Sequence, residues 1–384
     1  MLFRQVIGQS ALKRKLAETA RQGRISHAQL FLGPEGSGNL ALSMAYAQYV
    51  SCVNKGDEDS CNTCPSCIKY SKLIHPDLHF LYPQMVKKDD RNERSAIISL
   101  WREAFRENPY MNSGQWHEKM KMENKQGIIS TEDSADLLRK LSLKTFEADY
   151  KTAIIWMPEK LHATAVNKML KMLEEPPHKT LFLLVAENQD LLLPTMLSRT
   201  QLVKVTKLKD EEIMNALVDF HGAEYHKAKD IAFLADGNYN AALSMWHTGS
   251  HQGENTLLLK NWIRNCYCLV EHHKRFREKT AETIAWAEEM TKMGREKQKN
   301  FLTHSLHILR ECLLIGYAGK KMARLEGEDL EFSEKLSPLV HTGNCEQLVR
   351  QFQDACYHVE RNANPKILFL DLSFKIGRLL HSKV

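Results

Sequence analysis

The chain has 384 residues, of which 43% are hydrophobic and 26% charged, enough for two or three globular domains with substantial cores. No uncharged apolar run approaches the 18 or more residues of a membrane span, and Met1 to Gly8 lacks the basic-then-apolar pattern of a secretory signal, so a cytoplasmic location is expected. The net charge of +6, from 53 basic and 47 acidic residues, permits contact with a nucleic-acid backbone without demanding it.

Residues 9–22 carry helical spacing, and His27 to Leu32 is a short apolar strand that runs into Gly33-Pro34-Glu35-Gly36-Ser37-Gly38. A helix then follows from Leu40 to Val50; strand, glycine-rich turn and helix form the opening unit of an α/β sheet. Further strands are predicted at Leu78–Tyr82, Ala153–Met157, Leu181–Val185 and Gln201–Val205. Between the strands at 153 and 181, Val166, Met169, Leu170 and Leu173 line one helix face, and Pro176 and Pro177 stop that helix. Alternation of this kind predicts a mostly parallel sheet covered on both faces. Residues 84–127, rich in charge and holding Trp101 and Trp116, read as a partly helical insertion.

Beyond about residue 207 strand signals vanish. Lys209–Phe220 and Ala223–Leu234 read as a helix pair, Asp236-Gly237-Asn238 as a helix stop, and a new helix starts near Asn240. Amphipathic helices fill the chain from about 254. The expected division is an α/β P-loop-type domain at 1–206, a small helical domain at 207–248 and a larger all-α domain at 249–384.

Four of the nine cysteines, Cys52, Cys61, Cys64 and Cys67, fall close together. Gaps of two residues let paired thiolates reach one ion from a tight turn, and four thiolates suit a closed, structural zinc site. Free thiols and an iron–sulfur cluster are the alternatives, and His75 and His79 read as ordinary histidines. Of the remaining cysteines, Cys266 and Cys268 read as half-buried packing residues, and Cys312, Cys345 and Cys356 as core thiols.

A working phosphate loop needs Gly-x-x-x-x-Gly-Lys-[Ser/Thr], where lysine reaches the β and γ phosphates and the hydroxyl holds magnesium. Here Gly33, Gly36 and Gly38 stand, but the lysine position is Asn39 and the hydroxyl position Leu40. No productive ATP or magnesium site is expected, although bare amides could still hold an anion. The strand at 153 runs into Trp156-Met157-Pro158-Glu159, with no acid where magnesium and the attacking water would be managed. The site is thus degraded twice. Arg199, after Ser198 and just ahead of the last strand, could reach a phosphate in a neighbouring subunit. Taken alone, such an arginine is more commonly a surface salt-bridge partner.

Ile7-Gly8-Gln9, His27-Ala28-Gln29-Leu30-Phe31, the glycine turn, the four cysteines, His75-Pro76-Asp77, Leu173-Glu174-Glu175-Pro176-Pro177, Leu193-Pro194-Thr195 and Ser198-Arg199 occur in that order. Over residues 1–245 the chain resembles the delta-prime subunits of bacterial DNA polymerase III clamp loaders, members of the AAA+ family. The resemblance implies an AAA+ module, a helical lid and a helical collar. It also implies a hetero-pentamer with ATPase (gamma/tau) and delta subunits that loads the sliding clamp on primer-template DNA. This chain would be its stator, an accessory polymerase subunit without activity of its own, with Arg199 as the arginine finger and zinc as its one cofactor. It departs from the family at Thr200, where a cysteine is usual, and in the length of 84–127. Competing readings are the ATPase subunit of the same complex and a zinc-dependent nucleic-acid-binding module, which basic residues such as Lys274, Arg275 and Arg277 would serve.

Overall fold

A computed structural model describes residues 1–84, 91–121, 127–248, 252–269, 274–320, 323, 325 and 327–382. The chain separates into two compact units, Met1–Ala242 and Leu243–Val384.

The first unit is built on five parallel strands: β1 (Ala28–Leu32), β2 (Leu78–Leu81), β3 (Lys151–Trp156), β4 (Thr180–Ala186) and β5 (Gln201–Lys204), in the spatial order β2-β3-β4-β1-β5. Its helices are α1 (Ser10–Arg21), α2 (Asn39–Ser51), α3 (Pro65–Ser71), α4 (Arg91–Glu107), α5 (Ser113–Lys119), α6 (Thr131–Ser142), α7 (Ala163–Glu174), α8 (Pro194–Leu197), α9 (Asp210–His221) and α10 (Tyr225–Ala235). A further helix, α11 (Tyr239–Thr248), runs across the boundary between the units.

Every residue of β3 and β4 is buried, which is why these strands appear in the sequence as unbroken apolar runs. The parallel α/β class expected from the sequence is the class observed. The strand ends differ from expectation where polar residues are buried. β3 starts at Lys151, whose Nζ donates to the carbonyls of Leu141 and Leu143, and β4 starts at Thr180. A hydropathy pattern cannot register a lysine that is buried because its ammonium caps the end of α6.

The segment 84–127, expected as a partly helical insertion, holds α4 and α5, although 85–90 and 122–126 lie outside the described residues. Trp101 and Trp116 are fully buried. Trp101 stacks on Tyr82 with centroids 4.2 Å apart and lies 5.2 Å from Trp156 of β3. Trp116 meets Trp101 edge-on at 5.2 Å, and its indole N–H donates to the carbonyl of Pro83 at 2.7 Å. α4 and α5 are thereby cemented to the sheet by aromatic area, the largest apolar contribution per side chain.

α9 and α10 appear where the sequence placed them. Asp236 and Gly237, both with positive φ, end α10 as the turn residues predicted.

The second unit holds α12 (Gln252–Tyr267), α13 (Phe276–Lys292), α14 (Arg295–Ala318), α15 (Gly327–Leu336), α16 (Cys345–Glu360) and α17 (Pro365–Leu380). Trp262 and Trp286 stack at 5.1 Å among Phe301, Phe352 and Phe369, and the Trp262 indole N–H donates to Ser373 Oγ at 2.7 Å. A Cβ on Gly377 would lie 2.4 Å from the Cys266 carbonyl, so α17 rests directly on the backbone of α12. Cys312 is buried as expected; Cys266 and Cys268 are fully buried rather than half-buried, and Cys345 and Cys356 are only half-buried, a correction to their reading as core thiols. Both sit on α16, where helical periodicity alone does not say how deeply a flank is covered. Among the described residues no helix is long and apolar enough to cross a membrane.

Candidate functional site: a closed phosphate loop and a paired arginine

β1 delivers the chain to Gly33, and α2 begins at Asn39 with Gly38 as its N-cap. Gly36 (φ 71°) and Gly38 (φ 93°) occupy left-handed backbone that suits glycine, so the loop keeps the geometry that elsewhere cradles phosphate. Its interior, however, is filled by protein. The Asn39 side-chain amide donates to the Gly33 carbonyl at 2.5 Å and to the Ala186 carbonyl at 3.2 Å, and its oxygen accepts from Ser37 Oγ at 2.7 Å. Asn39 therefore stitches the loop to itself and to the end of β4. Leu40 is buried and lines the same space.

The rest of the closure comes from the turn between α4 and α5. The Tyr110 ring lies 3.0 Å from where a Cβ on Gly38 would sit, and its hydroxyl accepts the Ile7 N–H at 2.8 Å. Asn112 Nδ2 donates to Glu35 Oε1 at 3.0 Å, and the same oxygen accepts from Asn238 Nδ2 at 3.2 Å. Burial drives the Tyr110 hydroxyl pKa upward, so it remains a neutral phenol. What is left between the loop, Pro109 to Met111, Trp156, Met157 and Glu187 is a cavity of about 20 Å³. That is room for roughly one water molecule, against several hundred Å³ for a small-molecule ligand.

The end of β3 is also remade. Met157, buried, sits in the left-handed region at φ 58° and donates its N–H to the Val185 carbonyl at 2.9 Å. Glu159 does not line the cavity; burial raises its pKa, and its Oε2 is enclosed without a partner.

The cysteines converge. The Sγ atoms of Cys52, Cys61, Cys64 and Cys67 all lie within 4.8 Å of one another, with Cys52–Cys61 at 3.5 Å and Cys61–Cys67 at 3.9 Å. A tetrahedron of sulfurs at the zinc–thiolate bond length has edges of about 3.8 Å, so the spacing fits the ion. Backbone N–H groups of Cys61, Cys64 and Cys67 point at the sulfurs of Cys52, Cys61 and Cys64 at 3.3, 3.3 and 3.4 Å, the contacts that support thiolate charge. All four are free of disulfides, and the set could hold a zinc ion. His75 and His79 are not among its members. His75 Nδ1 accepts the Asp77 N–H at 3.1 Å, while Asp77 itself accepts the backbone N–H groups of Phe146, Glu147 and Ala148. Burial works to raise the Asp77 pKa, but those three donors and His75 hold it below the ordinary carboxylate value.

Arg199 follows α8. Its Nε donates to Glu174 Oε1 at 2.6 Å and its Nη2 to the same oxygen; Nη1 donates to the Thr195 carbonyl at 2.9 Å and to Ser198 Oγ at 3.3 Å. The salt-bridge role is thus real within this chain. The surrounding segment exposes Leu191, Leu193 and, on the edge strand β5, Leu202. One participant escaped the sequence reading: Tyr110 lay inside an insertion with no motif to mark it. Glu174 stood in the Leu173–Pro177 motif, but its pairing with Arg199 was not foreseen.

Residues 8–209 match the family described as "DNA polymerase III, delta subunit". The chain belongs to this family. Among curated relatives, the delta-prime subunit of Bacillus subtilis is 27% identical over 211 residues, covering 55% of this chain and 51% of that one. The tau subunit of the same organism is 25% identical over 248 residues, covering 63% and 37%. The Yersinia pestis delta-prime subunit is 28% identical over 199 residues, covering 51% and 44%. The chain thus spans about half the length, or less, of these relatives. The clamp-loader resemblance read from the motifs is borne out at the level of family, with delta-prime and tau relatives similarly near.

Proposed function

We propose that this chain is a delta-prime-type, non-hydrolysing subunit of the DNA polymerase III clamp loader, working in the cytoplasm beside gamma/tau ATPase subunits and a delta subunit. The observation that carries this reading is the closed loop. Asn39 turns inward to Gly33 and Ala186 and Tyr110 covers Gly38, and the cavity left beside the loop holds only about 20 Å³. A subunit that does not respond to nucleotide suits a stator, and Arg199 with its exposed leucines suits a face presented to an adjacent ATPase. The four-cysteine cluster would carry one structural zinc. Residues 207–248 would act as lid and 249–384 as the collar that holds a ring together around clamp and primer-template DNA.

The test is reconstitution with gamma/tau and delta subunits. The isolated chain should show no ATP turnover and no nucleotide-dependent change in melting temperature, while the complete complex loads clamp. ATP turnover by the purified chain would overturn the reading. It would instead favour the ATPase-subunit alternative, which the tau relative keeps in view.

A further inference from the structure

The guanidinium of Arg199 carries five N–H donors. Four are engaged inside the chain: Nε and one Nη2 hydrogen on Glu174 Oε1, and both Nη1 hydrogens on Thr195 O and Ser198 Oγ. Gripping a phosphate takes two parallel donors along one edge of the fork. The Nε/Nη2 edge is taken by the carboxylate and the Nη1/Nη2 edge is half used by Thr195. The Glu174 charge also cancels that of the arginine and would repel a phosphate brought to the same place. In this conformation Arg199 is folded back on its own chain.

Glu174 is poorly placed for the stability of its own helix. It is the last residue of α7, where the helix dipole disfavours a carboxylate and where a lysine or arginine would suit the helix better. Pro176 and Pro177 follow after Glu175 and stop the helix from continuing. The pair is also weak enough to open, because both side chains are substantially exposed, at 31% for Arg199 and 47% for Glu174.

We propose that Glu174 is a positioning residue for Arg199. It holds the guanidinium in a parked rotamer until the denser negative charge of a nucleoside triphosphate in an adjacent subunit draws it away. The proposal rests on the arginine-donation reading above and is tested so that the two can fail separately. The complete clamp-loader complex is assembled with wild-type chain, E174Q, E174D, R199A or the double variant E174Q/R199A, and kcat and KM for ATP are measured with and without primed DNA. Glutamine keeps the shape and removes the charge. E174Q should raise turnover without DNA by about two- to fivefold, the range set by an exposed ion pair, and flatten the response to DNA. E174D should restore the wild-type response, and E174Q/R199A should match R199A alone. Wild-type behaviour of E174Q beside a slow R199A complex would refute the parking role and leave arginine donation standing. A slow E174Q complex would also refute it, since the carboxylate would then be aiming the arginine rather than restraining it. An R199A complex with an unchanged rate would remove arginine donation, and the parking role with it.

Discussion

The side-chain amide of Asn39 donates to the backbone carbonyl of Ala186 at 3.2 Å, so the start of α2 is tied to the end of β4 by a residue that stands where a phosphate-binding lysine would. The bond makes Asn39 structural. Replacing it with lysine, even together with Leu40→Thr, should yield no measurable ATPase, because Tyr110 and Met111 still fill the space. The double variant should also unfold more easily by about 2–4 kcal/mol, as a cation and a hydroxyl are placed at buried positions. Urea unfolding and a coupled ATPase assay on the purified chain check both halves.

Tyr110→Phe removes one oxygen and leaves the ring over Gly38. The Ile7 N–H then loses its 2.8 Å partner in a buried setting, which costs about 1–3 kcal/mol. The larger Tyr110→Ala change should cost about 3–5 kcal/mol, the range for emptying a buried aromatic site. Thermal melts that order the variants wild type, Phe, Ala would support the closure. Equal stabilities would show that the ring contributes nothing to it.

Metal analysis of protein purified without chelator should give one zinc per chain. Cys64→Ser should abolish it, and a chelator should lower the melting temperature of the wild type but not of the variant. The thiols themselves indicate why a cation is wanted. Burial raises the pKa values of Cys52 and Cys67, whereas the Thr63 backbone N–H is the main influence that brings Cys61 down to about 5, so without a cation the cluster mixes thiols with thiolate.

The second unit should weaken in mild acid. His304 is buried, with Nε2 3.0 Å from Thr256 Oγ1, and Thr256 donates in turn to Asp329. Burial, helped by His307, lowers the His304 pKa from 6.5 to about 4. The unfolded chain therefore takes up the proton first. The stability that neutral His304 permits is present above pH 6.5 and is lost progressively as pH falls toward 4, by about 3 kcal/mol in total. Urea titrations across that window should show the slope in wild type and a shallower one in His304→Gln.

What the sequence made legible was whatever rested on periodicity or on fixed spacing. β3 and β4 stood out because burial on both faces removes polar interruptions, and the cysteines stood out because two-residue gaps have few other uses. Gly36 and Gly38 likewise marked a loop that only positive φ explains. The contacts that close the loop were not legible, because they join segments far apart in the chain. Nothing local to Tyr110 names Gly38 as its neighbour, and nothing local to Glu174 names Arg199. Charged residues around Trp101 and Trp116 also gave no sign of how closely that insertion packs on the sheet. Asn39 and Leu40 told what the loop lacks; only the three-dimensional arrangement tells what replaced it.

The closed loop has a consequence for how such a chain can change. Reopening it takes at least a new side chain at Asn39, another at Leu40, a withdrawn Tyr110 and a relaxed Met157, and the first step alone strands the Gly33 and Ala186 carbonyls. That first step lowers stability and gains no chemistry while Tyr110 still covers Gly38, so single substitutions do not readily undo the closure. Variation in this unit is then free to refine its outer surfaces while the interior of the old pocket stays fixed.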